Sequence, residues 1–157
     1  GSEMCIRDRY NNYRRGLEIR NYSKQMRIDF TLTLPGMFEI ENIIQLAKEL
    51  KSEILAKVIF SFSADIVMSP LALPRHILEP WLDELIKVAD KNVPMTELLT
   101  QLRTRQTFEE QWPDDYRNGL ERGKKRIQEL EKIRPNPLTM SSILSARPEV
   151  LEWWDNI

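Results

Sequence analysis

Residues 28–34 alternate in polarity. Ile28, Phe30, Leu32 and Leu34 fall on one face, and Asp29, Thr31 and Thr33 on the other. This two-residue period predicts a β-strand, and the β-branched and aromatic side chains suit that state. Pro35-Gly36 ends it, because proline cannot donate to a ladder and glycine permits a turn. From Glu39 the period lengthens. Ile40, Ile43, Ile44, Ala47 and Leu50 make one helical stripe, with Glu39 and Glu41 in the first turn, where the helix dipole favours negative charge. Residues 55–62 are almost wholly apolar apart from Lys57 and Ser61, which predicts a second strand covered on both faces. Strand, helix and strand of these lengths predict a parallel crossover. The rest of the chain is arranged around it. A lone crossover leaves its strand edges unpaired.

On either side of this unit the pattern is helical. Residues 10–22 predict a helix that uses Tyr13, Leu17 and Arg20 on one side, weakened by Gly16. Residues 63–74, which contain SPLALP, read as a loop broken by Pro70 and Pro74. Beyond it, Ile77, Leu78, Trp81, Leu82, Leu85, Ile86 and Ala89 form a strong stripe. Pro80 predicts a single turn first and then a helix with this proline in its opening turn. Pro94 opens the next helix. Thr107 and Glu110 have the spacing of a capping box. Pro113 opens a long helix to about Lys132, stopped by Arg134-Pro135-Asn136-Pro137. Thr139 caps a short helix through Leu144, and Pro148 opens a final one that ends in Trp153 and Trp154. No internal repeat or low-complexity tract interrupts this order.

Composition narrows the possibilities. The chain has 157 residues, about one domain's length. Its net charge of −1 gives no electrostatic case for nucleic acid. No apolar run approaches the ~20 residues a bilayer span takes, and there is no secretory signal pattern, so a cytoplasmic location and no membrane partner are expected. Cys5 is the only cysteine, which excludes a disulfide framework and a cysteine metal site built within this chain.

Several side chains invite a chemical reading. His76 is the only histidine, yet no nucleophile or orienting carboxylate stands beside it in the sequence, so a surface or capping role is expected. Glu109, Glu110, Asp114 and Asp115 surround Trp112, but their spacing matches no calcium loop and reads as a solvated acidic patch. Lys124, Lys125 and Arg126 read as a solvated helix face. Trp153 and Trp154 either anchor a partner or dock on the body of the same protein, and docking is the expectation. Asp29, Thr31, Thr33, Lys57 and Ser61 are polar residues inside the two strands. In parallel sheets such positions face a barrel interior or a cleft at the carboxyl ends of the strands. The plainer reading is a Lys57–Asp29 pair that fills space.

Two resemblances add to this. The run EMCIRDR back-translates into a transposon-end adapter used for sequencing libraries, so residues 1–9 are expected to be a foreign leader. The segments IDFTLTLPG, IENIIQLAKEL, ILAKVIF and SPLALPRHIL resemble the later barrel strands and tail of radical SAM enzymes. QWPDDYRNGLERGKKRI and the closing EWW are similar to twitch-type C-terminal regions of that superfamily. The likeness runs from Tyr10 to Ile157 as a pattern across segments. It implies an α/β fold: a βαβ unit at residues 10–74 from the end of a partial parallel (βα)6 barrel, then a helical C-terminal extension at 75–157. It also implies S-adenosylmethionine bound to an iron–sulfur cluster, reductive cleavage to a deoxyadenosyl radical, and hydrogen abstraction from an unknown substrate. The chain has no CxxxCxxC, and no cysteine follows Cys5, so this fragment alone is expected to carry no cofactor and no activity. The missing N-terminal barrel portion of the same protein is its implied partner. Thr31, Thr33, Lys57 and Ser61 are the residues the resemblance places near cofactor or substrate.

Two other classes compete. One is a non-catalytic helical interaction module built on Trp153, Trp154 and the helix from Pro113. The other is a stand-alone α/β ligand-binding domain, disfavoured because no glycine-rich phosphate loop follows the first strand.

Overall fold

The alternation at 28–34 and the stripe at 40–50 become the crossover they predict. The computed structural model describes residues 2–21, 25–58, 66–134 and 138–157, with side chains from residue 8 onward. Strand β1 (Arg27–Leu32) leads through a 3-10 turn (Pro35–Glu39) into helix α2 (Ile40–Glu49), and strand β2 (Glu53–Val58) returns beside β1. The strands are parallel, with Arg27 opposite Glu53 and Leu32 opposite Val58. Helix α1 (Ser2–Ile19) precedes them. The fold is mostly helical with a small two-stranded parallel sheet, an α/β arrangement.

The expectation that β2 is covered on both faces does not hold. Glu53, Leu55 and Lys57 are exposed, whereas Ile54 is buried and Ala56 and Val58 are half-buried. β1 follows the same rhythm, with Arg27, Asp29 and Thr31 outward. Residues paired across the ladder share a face, so the two strands present one exposed, mainly polar face. An apolar run in sequence reports hydrophobicity but not whether a second layer exists, and Leu55, 44% exposed, shows the difference.

The other sheet face and α2 belong to one buried cluster that continues into the helical segment. It joins Leu32, Leu34, Ile40, Ala47 and Ile54 to Leu82, Leu99, Phe108, Leu144, Val150 and Trp154. That segment comprises α3 (Arg75–Val88), α4 (Val93–Thr104), α5 (Phe108–Gln111), α6 (Pro113–Ile133), α7 (Met140–Leu144) and α8 (Pro148–Asp155). α4 packs on both α3 and β2, α6 on the turn Ile66–Met68, and α7 on the turn Pro35–Glu39. Phe38 meets Trp81 with ring centroids 4.7 Å apart, within the favourable range for an aromatic pair.

Local chemistry explains the boundaries. The Asn92 side chain accepts from the Met95 N–H at 3.2 Å and caps α4. Thr107 and Glu110 form the expected capping box of α5, and Thr139 caps α7. Pro94, Pro113 and Pro148 open their helices, since a first-turn N–H has no intrahelical partner to lose.

Two helices differ from expectation. α3 is continuous from Arg75, with Pro80 inside it. The proline removes one i to i−4 bond, which frees the carbonyl of His76. Both residues lie on the exposed side, and the helix runs on through the proline. α1 begins within residues 1–9, set aside above as a leader, and ends at Ile19; residues 22–24 lie outside the described part. Two of the three residues expected on its packing side make contacts, although Arg20 lies just past the helix end. The Tyr13 hydroxyl bonds the Ser52 hydroxyl, and Arg20 Nη2 donates to the Lys51 carbonyl at 3.1 Å. Gly16 allows the close approach of Met26, whose Sδ would overlap a Cβ at that position.

No described helix is long and apolar enough to cross a membrane.

Candidate functional site

The strand residues singled out by sequence divide in three. Thr31 and Lys57 are ladder partners on the exposed face. Lys57 Nζ donates to Asp29 Oδ2 at 2.9 Å, with both side chains a little over half exposed (55% and 56%). The expected Lys57–Asp29 pair therefore forms, as a solvated pair rather than a buried one, and contributes little stability. Thr33 lies just past the strand end and is half-buried; its Oγ1 accepts from the Gly36 N–H at 3.1 Å, which shapes the exit turn. Ser61 lies outside the described residues, as do Phe60 and Phe62.

The chemistry available on this face is modest. Asp29, Thr31 and Lys57, with Arg27 and Glu53 farther along the same face, can hold a polar group, but among the described residues this face is exposed. These residues do not fit an iron–sulfur cluster, which takes several thiolates, and Cys5 is the chain's only cysteine. Among the described residues, no group of three His, Cys, Asp or Glu side chains is placed to hold a metal ion.

The expected acidic patch resolves into different roles. Glu110 is gripped by Arg75, with Nε to Oε1 at 2.6 Å and Nη2 to Oε2 at 2.7 Å. That guanidinium, assisted by the Thr107 amide, pulls the Glu110 carboxyl down to about 2. Asp114 and Asp115 are exposed in the first turn of α6, where they complement the helix dipole. Glu109 is exposed and faces a cleft shared with His76.

The basic trio differs from expectation at one position. Lys124 Nζ donates to the Trp154 carbonyl at 2.6 Å and stands 5.3 Å from the ring centroid of Trp154. Lys125 and Arg126 are exposed. Trp154 is 1% exposed and Trp153 half-buried, so the tandem tryptophans dock on their own protein, as expected.

Sequence reading missed Arg75, which ties α3 to Glu110 and to the carbonyls of Arg103 at 3.3 Å and Arg105 at 2.7 Å. It also missed Arg147, which pairs with Glu84 at 2.7 Å and lies 4.9 Å from the centroid of the Trp81 ring. Their partners stand tens of residues away, beyond the reach of any local spacing rule.

No family model matches this chain, and no curated protein or solved structure matches it either.

Proposed function

We propose that this chain is the C-terminal part of a radical SAM enzyme. On this reading β1, α2 and β2 supply two strands to the wall of a partial parallel barrel, and α3 to α8 form its helical extension. One observation carries the reading: the sheet has two unlike faces. The apolar face is buried together with α2, while Asp29, Thr31 and Lys57 stand together on the face left exposed. In parallel barrels the helices lie outside and strand residues point inward toward the ligand end. The segment resemblance supplies the superfamily. The thiolates and the bulk of the reaction machinery then belong to the N-terminal barrel portion, which would also cover the exposed face.

Reading the DNA upstream of the codon for Tyr10 tests this. An in-frame CxxxCxxC is expected. A start codon with its own ribosome site at that point would overturn the reading.

An interaction module built on Trp153, Trp154 and α6 is the competing proposal. It is weakened because α6 and α8 occupy each other. Trp154 is buried, and both Lys124 and Arg117 donate to backbone carbonyls at the end of α8.

A further inference from the structure

A cleft of about 700 Å³ lies among α3, α6 and α8. Ile77, Tyr116 and Leu120 line it and are themselves buried, and the half-buried Trp153 adds an aromatic wall. Two carboxylates, Glu109 and Glu152, also line it, and neither has an ion-pair or hydrogen-bond partner for its side chain among the described residues.

The other charged groups here are already engaged. Glu149 pairs with Arg147 at 2.7 Å. Arg117 pairs with Glu121 at 2.8 Å and donates to the Asn156 carbonyl at 2.9 Å. The Tyr116 hydroxyl donates to the Ala72 carbonyl at 2.5 Å. Burial raises this phenol to about 12, against a hydrogen bond with Trp153 that lowers it and with a smaller raising effect from the Glu109 carboxylate. What the cleft offers a ligand is thus two free negative charges over an apolar and aromatic floor.

Carboxylates accept charge-assisted hydrogen bonds from ammonium and guanidinium groups. The face of an indole attracts the same cations, and the apolar floor takes an alkyl stem. The size falls within the usual range of small-ligand sites, ~300–1,000 Å³. A bare metal ion is a poorer match, since among the described residues no group of three His, Cys, Asp or Glu side chains is placed to hold one. We infer that this cleft binds a small organic cation with an apolar stem, an alkylguanidinium or alkylammonium compound, its head held by Glu109 and Glu152 and its stem against Ile77, Leu120 and Trp153.

Calorimetric or NMR titration of the full chain with n-butylguanidinium and n-butylammonium tests this, with uncharged n-butylurea as control. Saturable binding of the cations, and none of the urea, is expected. The double variant E109Q/E152Q should weaken it by roughly tenfold or more with an unchanged thermal melt, since both side chains are exposed and unpaired. W153L should weaken it in the same sense, by less. Cation binding that survives in E109Q/E152Q, equal binding of the urea, or no saturation by either cation would overturn the inference. Nα-acetylarginine methylamide serves as a further probe. Binding weaker than that of butylguanidinium supports a free small cation, whereas tighter binding would replace it with a peptide side chain.

Discussion

Arg75 and Glu110 meet through two parallel hydrogen bonds of 2.6 and 2.7 Å, across 35 residues of sequence. The bidentate geometry matches the planar fork of a guanidinium to the two oxygens of a carboxylate. Through it the first turn of α3, the end of α4 and the capping box of α5 share one charged centre.

This pair should give the fold an acid-sensitive element. The Glu110 carboxyl is lowered from 4.5 to about 2. A depressed folded value means the stabilisation is fully present above about 4.5 and is lost as the pH falls toward 2. E110Q should cost about 1 kcal/mol at neutral pH, a modest value because the pair is about one-third exposed. It should also flatten the stability profile across that window. Urea melts at several pH values, compared with the parent chain, check this; an unchanged acid limb in E110Q would refute it.

Tyr116 should act at the other end of the scale. Its hydroxyl is buried and donates to the Ala72 carbonyl, and burial raises it from 10.0 to about 12. The unfolded phenol ionises first, so stability is intact below about 10 and falls as the pH rises toward 12. Y116F should lose about 1–3 kcal/mol at neutral pH by leaving that carbonyl without its donor. It should also lose part of the alkaline slope, which paired denaturation curves would reveal.

The tandem tryptophans should separate in a truncation test. Trp154→Ala removes a side chain that is 1% exposed and should cost about 3–5 kcal/mol. Trp153→Ala removes a half-buried one and should cost no more than about 1–2 kcal/mol. Equal losses in denaturant midpoints would contradict the burial difference between them.

The exposed sheet face should promote association. Leu55 is 44% exposed between charged neighbours, and open sheets recruit further strands or layers. Sedimentation should show concentration-dependent association that L55K reduces. A monodisperse monomer at all concentrations would argue instead that the helical segment suffices to finish the domain.

Purified chain should assemble no iron–sulfur cluster on anaerobic reconstitution. One cysteine stands against the several thiolates such clusters take. Iron analysis and absorbance decide it, and a stoichiometric cluster would refute the expectation.

The legible parts of this fold are those written within a few residues. The Thr107–Glu110 spacing became a capping box, and each proline at 94, 113 and 148 opened a helix. The alternation from Ile28 found β1, and the stripe from Ile40 found α2. What sequence could not show was set by distant neighbours. Leu55 reads as core until its outer layer is sought. Lys124 reads as solvated until Trp154 arrives from 30 residues away. Pro80 reads as a breaker until its place on the exposed side of a continuous α3 is known. The candidate site followed the same rule: Thr31 and Lys57 met because their strands pair, while Thr33 was drawn into the turn at Gly36 by a bond no alternation pattern encodes.

Residues 66–74, just ahead of α3, decide how the molecule can be dissected. Ile66, Val67 and residues 69–74 are buried although they form only 3-10 turns. The Leu34 amide donates to the Met68 carbonyl at 2.7 Å, and Tyr116 reaches Ala72 from α6. What reads in sequence as a proline-punctuated connector is the keystone between sheet and helices. A protease site, affinity tag or split point inserted at SPLALP should unmake both sides together. The same insertion at the exposed α3–α4 connection around Asp90 and Lys91 is the place to begin when building a two-piece, reassembling version of this protein.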